Sequence, residues 1–254
     1  MPLKYCSIRW KLFFAIGTPL FLIHLAVFGM GYYDLRKDAY ANVNILMTEI
    51  ATNYAERFDE AFGVVAQTAK TALTFLMIDQ DISEGTIYQL LRQNVSGNPL
   101  IYGSAVAFEE NGFQKGKRLF SPYVYRHDPE SGTATGESLR EIDIARDAYD
   151  YRKSDWYRLA KESGKAVWTE PYFDKGAGNV IMCTYATPFF RDGKFRGVVT
   201  VDIRVEDLKK LVHKEGLVDP SAFVIMSHQG RYVSHPQADF IMRETIFSNA
   251  DKLG

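Results

Sequence analysis

The sequence predicts an α+β protein: an N-terminal transmembrane helix, a long amphipathic helix, an antiparallel sheet domain and the start of a second, incomplete sheet domain. Three observations predict it. Leu12 to Tyr33 contains no Asp, Glu, Lys or Arg. From Leu35 to Leu76 apolar residues recur at steps of three and four, the period of a helix face. Beyond Ile101 the period falls to two, in short segments separated by Gly, Pro, Asn and Asp.

The uncharged run of about 22 residues would rise about 33 Å as a helix, enough to cross a bilayer. Lys4, Arg9 and Lys11 precede it, whereas Asp34 and Asp38 offset Arg36 and Lys37 after it. That asymmetry places residues 1–11 in the cytoplasm and everything after 12–33 outside it. A cleaved signal peptide would have a shorter apolar core and a small-residue cleavage site, for which Gly29-Met30-Gly31 is a poor substitute. An uncleaved anchor is therefore expected, kinked at Pro19, with His24 a tolerated interruption.

Residues 34–80 follow as one extracytoplasmic helix region, about 68 Å long from Asp34 to Ile78 at the standard rise. Its stripe runs through Leu35, Ala39, Val43, Leu46, Ile50, Tyr54, Phe58, Phe62, Val65, Ala69, Leu73 and Leu76. Such a face packs on its own domain or forms a dimer seam. Gly63 costs such a helix only about 1 kcal/mol and sets no boundary.

Composition excludes several classes. Of 254 residues, 46% are hydrophobic and 14% aromatic, ample for a buried core. A net charge of -1 without a basic run argues against nucleic acid. Cys6 and Cys183 lie on opposite sides of the expected membrane, so no disulfide framework or CxxC metal site follows. Cys183 reads as a buried strand thiol. The five histidines lack ligand spacing, His228 and His235 included. No metal and no cofactor are expected.

Ser83 and Thr86 are candidate N-caps for a helix to Asn94. Ile101–Phe108 and Leu119–Tyr125 flank Asn111-Gly112 and read as a hairpin, with Pro122 marking an edge strand or bulge. Arg126 to Glu141 reads as a surface loop and Ile142 to Lys161 as helical in pieces. Strands follow at Ala166–Thr169, Val180–Phe190 and Phe195–Ile203, the last two joined through Asp192-Gly193. A connecting helix spans Val205–Lys214. A fresh hairpin, Ala222–Met226 and Arg231–Ser234, opens the second sheet, too short to close a core by the last residue, so the chain reads as a fragment or an incomplete second domain. The expected boundaries are 81–212 for the first sheet domain and 213–254 for the second.

The residues that carry chemistry are aromatic and acidic: Tyr149, Trp156, Tyr157, Tyr172, Asp174 and Asp202. Ring faces and fixed carboxylates both attract an ammonium group, so the set suits a small cationic ligand. The competing reading is packing, which is assigned to Trp168; for Trp156 and Asp202 core packing and strand-end hydrogen bonding are the rivals. Lys175-Gly176-Ala177-Gly178-Asn179 reads as a plain turn, because no helix follows to bind a phosphate. Asp174 and Asp202 could serve a hydrolase, yet no nucleophile elbow, HExxH or Ser-His-Asp grouping accompanies them.

Asp155-Trp156-Tyr157, Trp168-Thr169-Glu170-Pro171-Tyr172-Phe173-Asp174 and Gly197-Val198-Val199-Thr200-Val201-Asp202-Ile203, in this element order, resemble the double Cache family of PAS-like extracytoplasmic sensors over about 34–254. The resemblance implies a PAS-like sheet domain with a ligand site in the membrane-distal module, 81–212. It implies ligand contact at Tyr149, Trp156, Tyr157, Tyr172, Asp174 and Asp202. In amino-acid-binding members an arginine grips the ligand carboxylate two residues before the tryptophan, where this chain has Ser154. A serine replaces a charge-assisted fork by one neutral donor, which argues for an amine-like ligand unless Arg152 or Lys153 takes the arginine's place.

By the same resemblance the chain is the non-enzymatic input region of a signal-transduction receptor in the inner membrane, its sensor periplasmic. Ligand binding would displace helices that enter the membrane of a homodimer. Histidine kinase or PPM-type serine phosphatase outputs are favoured over chemotaxis modules. The rival is a ligand-free structural, dimerisation or partner-binding module, which a closed pocket beside Trp156 and Asp202 would favour.

Overall fold

The computed structural model of the protein describes residues 8–78, 81–127, 138–145, 149–175, 178–213 and 224–248. Cys6 and Lys4, most of the 126–141 segment expected as a loop, and Ala222-Phe223 of the expected last hairpin therefore lie largely or wholly outside the described residues. The chain divides into two compact units, 1–56 and 57–254.

The first unit is helical. α1 (Ile8–Leu12) passes through a π-helical turn (Phe13–Gly17) into α2 (Thr18–Ile78). Proline lacks an N–H and its ring crowds the carbonyl four residues back; for Pro19 that is Ala15, inside the widened turn. The irregularity expected at Pro19 is thus a π turn just before it. His24 Nδ1 donates to the Leu20 carbonyl at 2.8 Å, so the imidazole is satisfied within its own helix. Among the described residues this is the one helix long and apolar enough to cross a membrane, and no side chain of its apolar window, Phe28 included, is buried within the chain.

The apolar stripe of α2 divides. Leu35, Val43 and Leu46 are exposed, whereas Val65, Ala69, Ala72 and Leu76 are buried in the second unit, with Phe58, Phe62 and Leu73 packed against them. Residues 57–78 belong energetically to the sheet domain: small Ala69 and Ala72 let the helix approach the sheet closely. Trp168 meets Phe62 edge-on at 4.8 Å, in the core role expected of it.

α3 (Glu84–Gly97) starts where the sequence predicts. Ser83 accepts from the Thr86 N–H at 3.1 Å and so is the N-cap. Ser83→Ala is expected to lower stability by about 1 kcal/mol, read from the denaturation midpoint.

One antiparallel sheet follows, built from β1 (Gly103–Phe108), β2 (Pro122–His127), β3 (Ser138–Asp143), β4 (Val167–Trp168), β5 (Tyr172–Phe173), β6 (Ile181–Arg191) and β7 (Lys194–Arg204). Strand order is β3-β2-β1-β7-β6-β4, with β5 also paired to β6. α4 (Asp155–Ser163) precedes β4, and α5 (Val205–His213) continues directly from β7. Asp192 and Gly193 both take positive φ, 52° and 72°, as the two-residue β6–β7 turn demands.

Two expectations are corrected. Residues 138–143 form a paired strand, β3, in full register with β2 from Pro122↔Asp143 to His127↔Ser138. Its polar, half-exposed residues are those of a sheet edge, which is why the segment reads as loop. Pro122 accordingly is not on an edge strand, since β2 is flanked by β1 and β3; it is tolerated as the first residue of its strand. Arg126, taken as the first loop residue, is buried and donates to the carbonyls of Ile101, Val95 and Asn98, locking the end of α3 to the sheet.

Period-two alternation sorts the sheet into two packed faces. Val106, Phe108, Val124, Val199, Val201 and Ile203 face α2 and α3. Ala105, Ala107, Tyr123, Met182 and Val198 face Trp156 and Tyr157 of α4. β8 (Ile225–Met226) and β9 (Tyr232–Ser234) form a separate two-stranded sheet, with Val233 buried and Ile225 packed against the first face.

Candidate ligand-binding site

The α4 face holds a cavity lined by Ala105, Tyr123, Ile144, Tyr149, Trp156, Tyr172, Asp174, Met182, Thr200 and Asp202. Each wall has a sequence reason. Val198, Thr200 and Asp202 alternate onto one side of β7, so the aspartate reaches the face that Val198 packs. β1 contributes Ala105, whose single methyl leaves room. Gly103, next on the same side, permits the ring of Tyr123: a Cβ at Gly103 would lie 2.3 Å from its hydroxyl.

Asp202 is 4% exposed. Its Oδ1 accepts from Thr184 Oγ1 at 2.7 Å, and Thr184 Oγ1 lies 2.8 Å from the Tyr172 hydroxyl, so a consistent chain runs Tyr172 to Thr184 to Asp202. Burial raises the Asp202 pKa to about 7; the Asp174 charge pushes the same way, while hydroxyls of Thr184 and Tyr123 oppose it. The buried Tyr123 hydroxyl itself completes no hydrogen bond within the geometric limits among the described residues.

Asp174 is 5% exposed, and its Oδ2 accepts from the Gly178 N–H at 2.7 Å. Burial raises its pKa, against the Gly178 amide and the Tyr149 hydroxyl. Tyr149 also reaches Ser154 Oγ at 3.2 Å. No lysine, arginine or histidine lines the cavity among the described residues. Two desolvated carboxylates inside an aromatic wall attract a cation and repel an anion.

Of the residues expected from sequence, Tyr149, Trp156, Tyr172, Asp174 and Asp202 are brought together here, and Ser154 stands behind Tyr149. Tyr157 is placed elsewhere. One residue further along α4, its hydroxyl meets Glu109 Oε2 at 3.3 Å and its ring meets Phe195 edge-on, beside the Lys161–Glu109 ion pair. Arg152 is also held away: Nε donates to Asp150 Oδ1 at 2.8 Å and Nη1 to Glu110 Oε2 at 2.7 Å, so it does not stand in for an arginine at position 154. The Lys153 side chain is 84% exposed. Tyr123, Thr184 and Thr200 are additions; Thr200 shares Asp202's side of β7, and that alternation is the signal that could have found it.

The cavity measures about 20 Å³, room for a single water molecule. A larger ligand enters only if a wall moves. Asp202 lies three residues before α5, and the junction is fastened by Arg204 Nε on Asp207 Oδ2 at 2.8 Å. Ile203, Val205 and Leu208 share the packed layer that contains Val65 and Ala69 of α2.

Residues 87–210 match the family of methyl-accepting chemotaxis protein-like first PDC sensor domains. The chemotaxis protein TlpQ of Pseudomonas aeruginosa is 29% identical over 147 residues, 52% of this chain and 20% of TlpQ. The extracellular domain of soHK1S-Z6, described as a histidine kinase, is 30% identical with a TM-score of 0.63, covering 79% of this chain and 75% of that one. The ligand-binding domain of the Pseudomonas aeruginosa chemoreceptor PctC, solved with GABA, shares the fold at 21% identity and a TM-score of 0.56, over 82% of this chain and 80% of that one. The matches to three curated chemotaxis proteins span 15%, 20% and 17% of their lengths, so the matched segments cover about a fifth of such a receptor or less.

Proposed function

We propose a function that proceeds from one fact: the chain belongs to the double Cache, or PDC, family of extracytoplasmic sensor domains of membrane receptors. Within that family, its site reads as a receptor for a small ligand bearing an ammonium group and needing no carboxylate clamp. The observation that carries this is the pairing of buried Asp202 and Asp174 in an aromatic wall without a basic side chain.

Signal transfer follows from the connections of β7. Displacing Asp202 acts through Ile203 and Val205 on the layer shared with α2, the helix whose apolar N-terminal part is the candidate membrane span. A ligand shifts that balance only by its differential affinity for the two arrangements. We place the N-terminus in the cytoplasm and the sensor in the periplasm, anchored in the inner membrane, and expect a homodimer that reads helix displacement against a partner helix. The output is a chemotaxis module or a histidine kinase; with TlpQ and soHK1S-Z6 side by side, the preference for kinase or phosphatase over chemotaxis drawn from sequence is not kept.

A second reading rests on the 20 Å³ volume: a cavity that holds one water suits a module driven by a protein partner. A thermal-shift panel of primary amines, amino acids and carboxylates on the full chain in detergent separates the two. A rise in melting temperature with amines that Asp202→Ala abolishes supports direct sensing. No shift from a cooperatively melting protein supports the partner-driven module.

A further inference from the structure

On the opposite face of the sheet, a cleft of about 190 Å³ opens between the end of α2, the start of α3 and the β6–β7 turn. Its back wall is apolar: Leu76, Ile82, Phe108, Phe113 and Phe189, with Phe108 centred 4.9 Å from Phe113 and 5.7 Å from Phe189. Two half-buried guanidiniums stand at its polar side. Arg196 Nη2 donates to the Gly112 carbonyl at 2.8 Å, and Arg191 Nη2 to the Leu76 carbonyl in the last turn of α2 at 3.4 Å. Neither has a carboxylate at ion-pair distance among the described residues, although the rim residue Asp81 is close by and has a partner of its own.

A guanidinium carries five N–H donors in a planar fork, and the two carbonyls take one from each. Both arginines line a space walled by phenylalanine rings, which suits an anion attached to an apolar body. The volume exceeds the roughly 150 Å³ of an engineered cavity that binds benzene. Asp81 offsets part of the positive charge, so one negative charge on the ligand is favoured over two. We infer that this cleft is a second binding site, independent of the Asp202 cavity, for a small monocarboxylate with an aromatic or branched aliphatic body. Binding there draws on Arg191, which otherwise caps a carbonyl at the end of α2, so occupancy bears on the same helix from its far end.

Calorimetric titration of the full chain in detergent with benzoate tests this, with isovalerate as a second acid and benzyl alcohol and benzylamine as uncharged and cationic controls. Benzoate is expected to bind one to one and benzyl alcohol at least about 10-fold more weakly, the worth of one charge-assisted hydrogen bond. Arg196→Gln and Arg191→Gln should each weaken benzoate about 10-fold, and Arg196→Lys, which keeps charge but loses the fork, should weaken it as well. Asp202→Ala should still bind benzoate one to one, which separates this inference from the amine site. Absence of benzoate and isovalerate binding to folded protein, or acid binding no tighter than that of benzyl alcohol, overturns it. So does benzoate binding lost in Asp202→Ala and retained in Arg196→Gln.

Discussion

Asp202→Ala is expected to weaken binding of a small primary amine about 100-fold while the sheet domain stays folded. The magnitude is that of removing a buried, hydrogen-bonded charge partner, about 2–5 kcal/mol. Asp202 has no solvent to share the ammonium with, and Thr184 holds its Oδ1 in place. Thr184→Val should cost less, about 10-fold, because it removes the hydroxyl that orients the carboxylate and leaves the charge. Calorimetric titration of the three chains checks both values; an unchanged affinity in Asp202→Ala would remove the aspartate from the site.

The second large effect is on stability against pH without ligand. The Asp202 carboxyl has a pKa of about 7 in the fold, against 3.8 for the free side chain. Between those values the native state holds a proton that the unfolded chain has released, so stability falls as pH rises. The contribution is complete below about pH 4 and is lost as pH passes about 7, in total about 4 kcal/mol at 1.36 kcal/mol per pH unit. Asp174, also raised by burial, acts with the same sign. Urea denaturation at pH 5 and pH 8 should therefore show the protein less stable at pH 8, and Asp202→Asn should flatten the difference. Amine binding has the opposite slope, because the ammonium needs the ionised carboxylate: affinity should rise from pH 5 to pH 8.

Much of this architecture is legible in the sequence because its signals are local. The Ser83 cap, the Asp192-Gly193 turn and the period-two run through β7 each specify an element without reference to the rest of the chain. The two sheet faces follow from the same period, which is why Asp202 could be placed beside Trp156 from spacing and resemblance together. What was not legible depends on distant partners. β3 is mostly polar, with only Leu139 and Ile142 packed against the two core faces, and becomes a strand because β2 offers it a hydrogen-bonding edge. Tyr157 is adjacent to Trp156 in sequence, yet Lys161 and Glu109 give it a polar anchor outside the cavity. Arg152 is a plausible clamp until Asp150 and Glu110 are seen to occupy it. Tyr123 carries no motif; it enters the site because Gly103 on the neighbouring strand has no side chain to exclude it.

The same distinction bears on the proposed ligand class. An arginine at position 154 would point a fork at a carboxylate, and the serine there bonds to Tyr149 instead. The charge balance of the cavity then rests on Asp174 and Asp202 alone among its lining residues. Enlarging the small cavity costs free energy that the ligand must supply, and that requirement couples occupancy to a change of shape.

The measurement that bears most directly on the central claim is calorimetric titration of the full chain in detergent at pH 8 with propylamine, propionate and alanine in parallel. Propylamine is expected to bind one to one and alanine more weakly, with the amine signal lost in Asp202→Asn and any heat from propionate retained there. Binding of alanine in preference to propylamine, propionate heat lost in Asp202→Asn, or no heat from propylamine with a cooperatively folded protein, would contradict it.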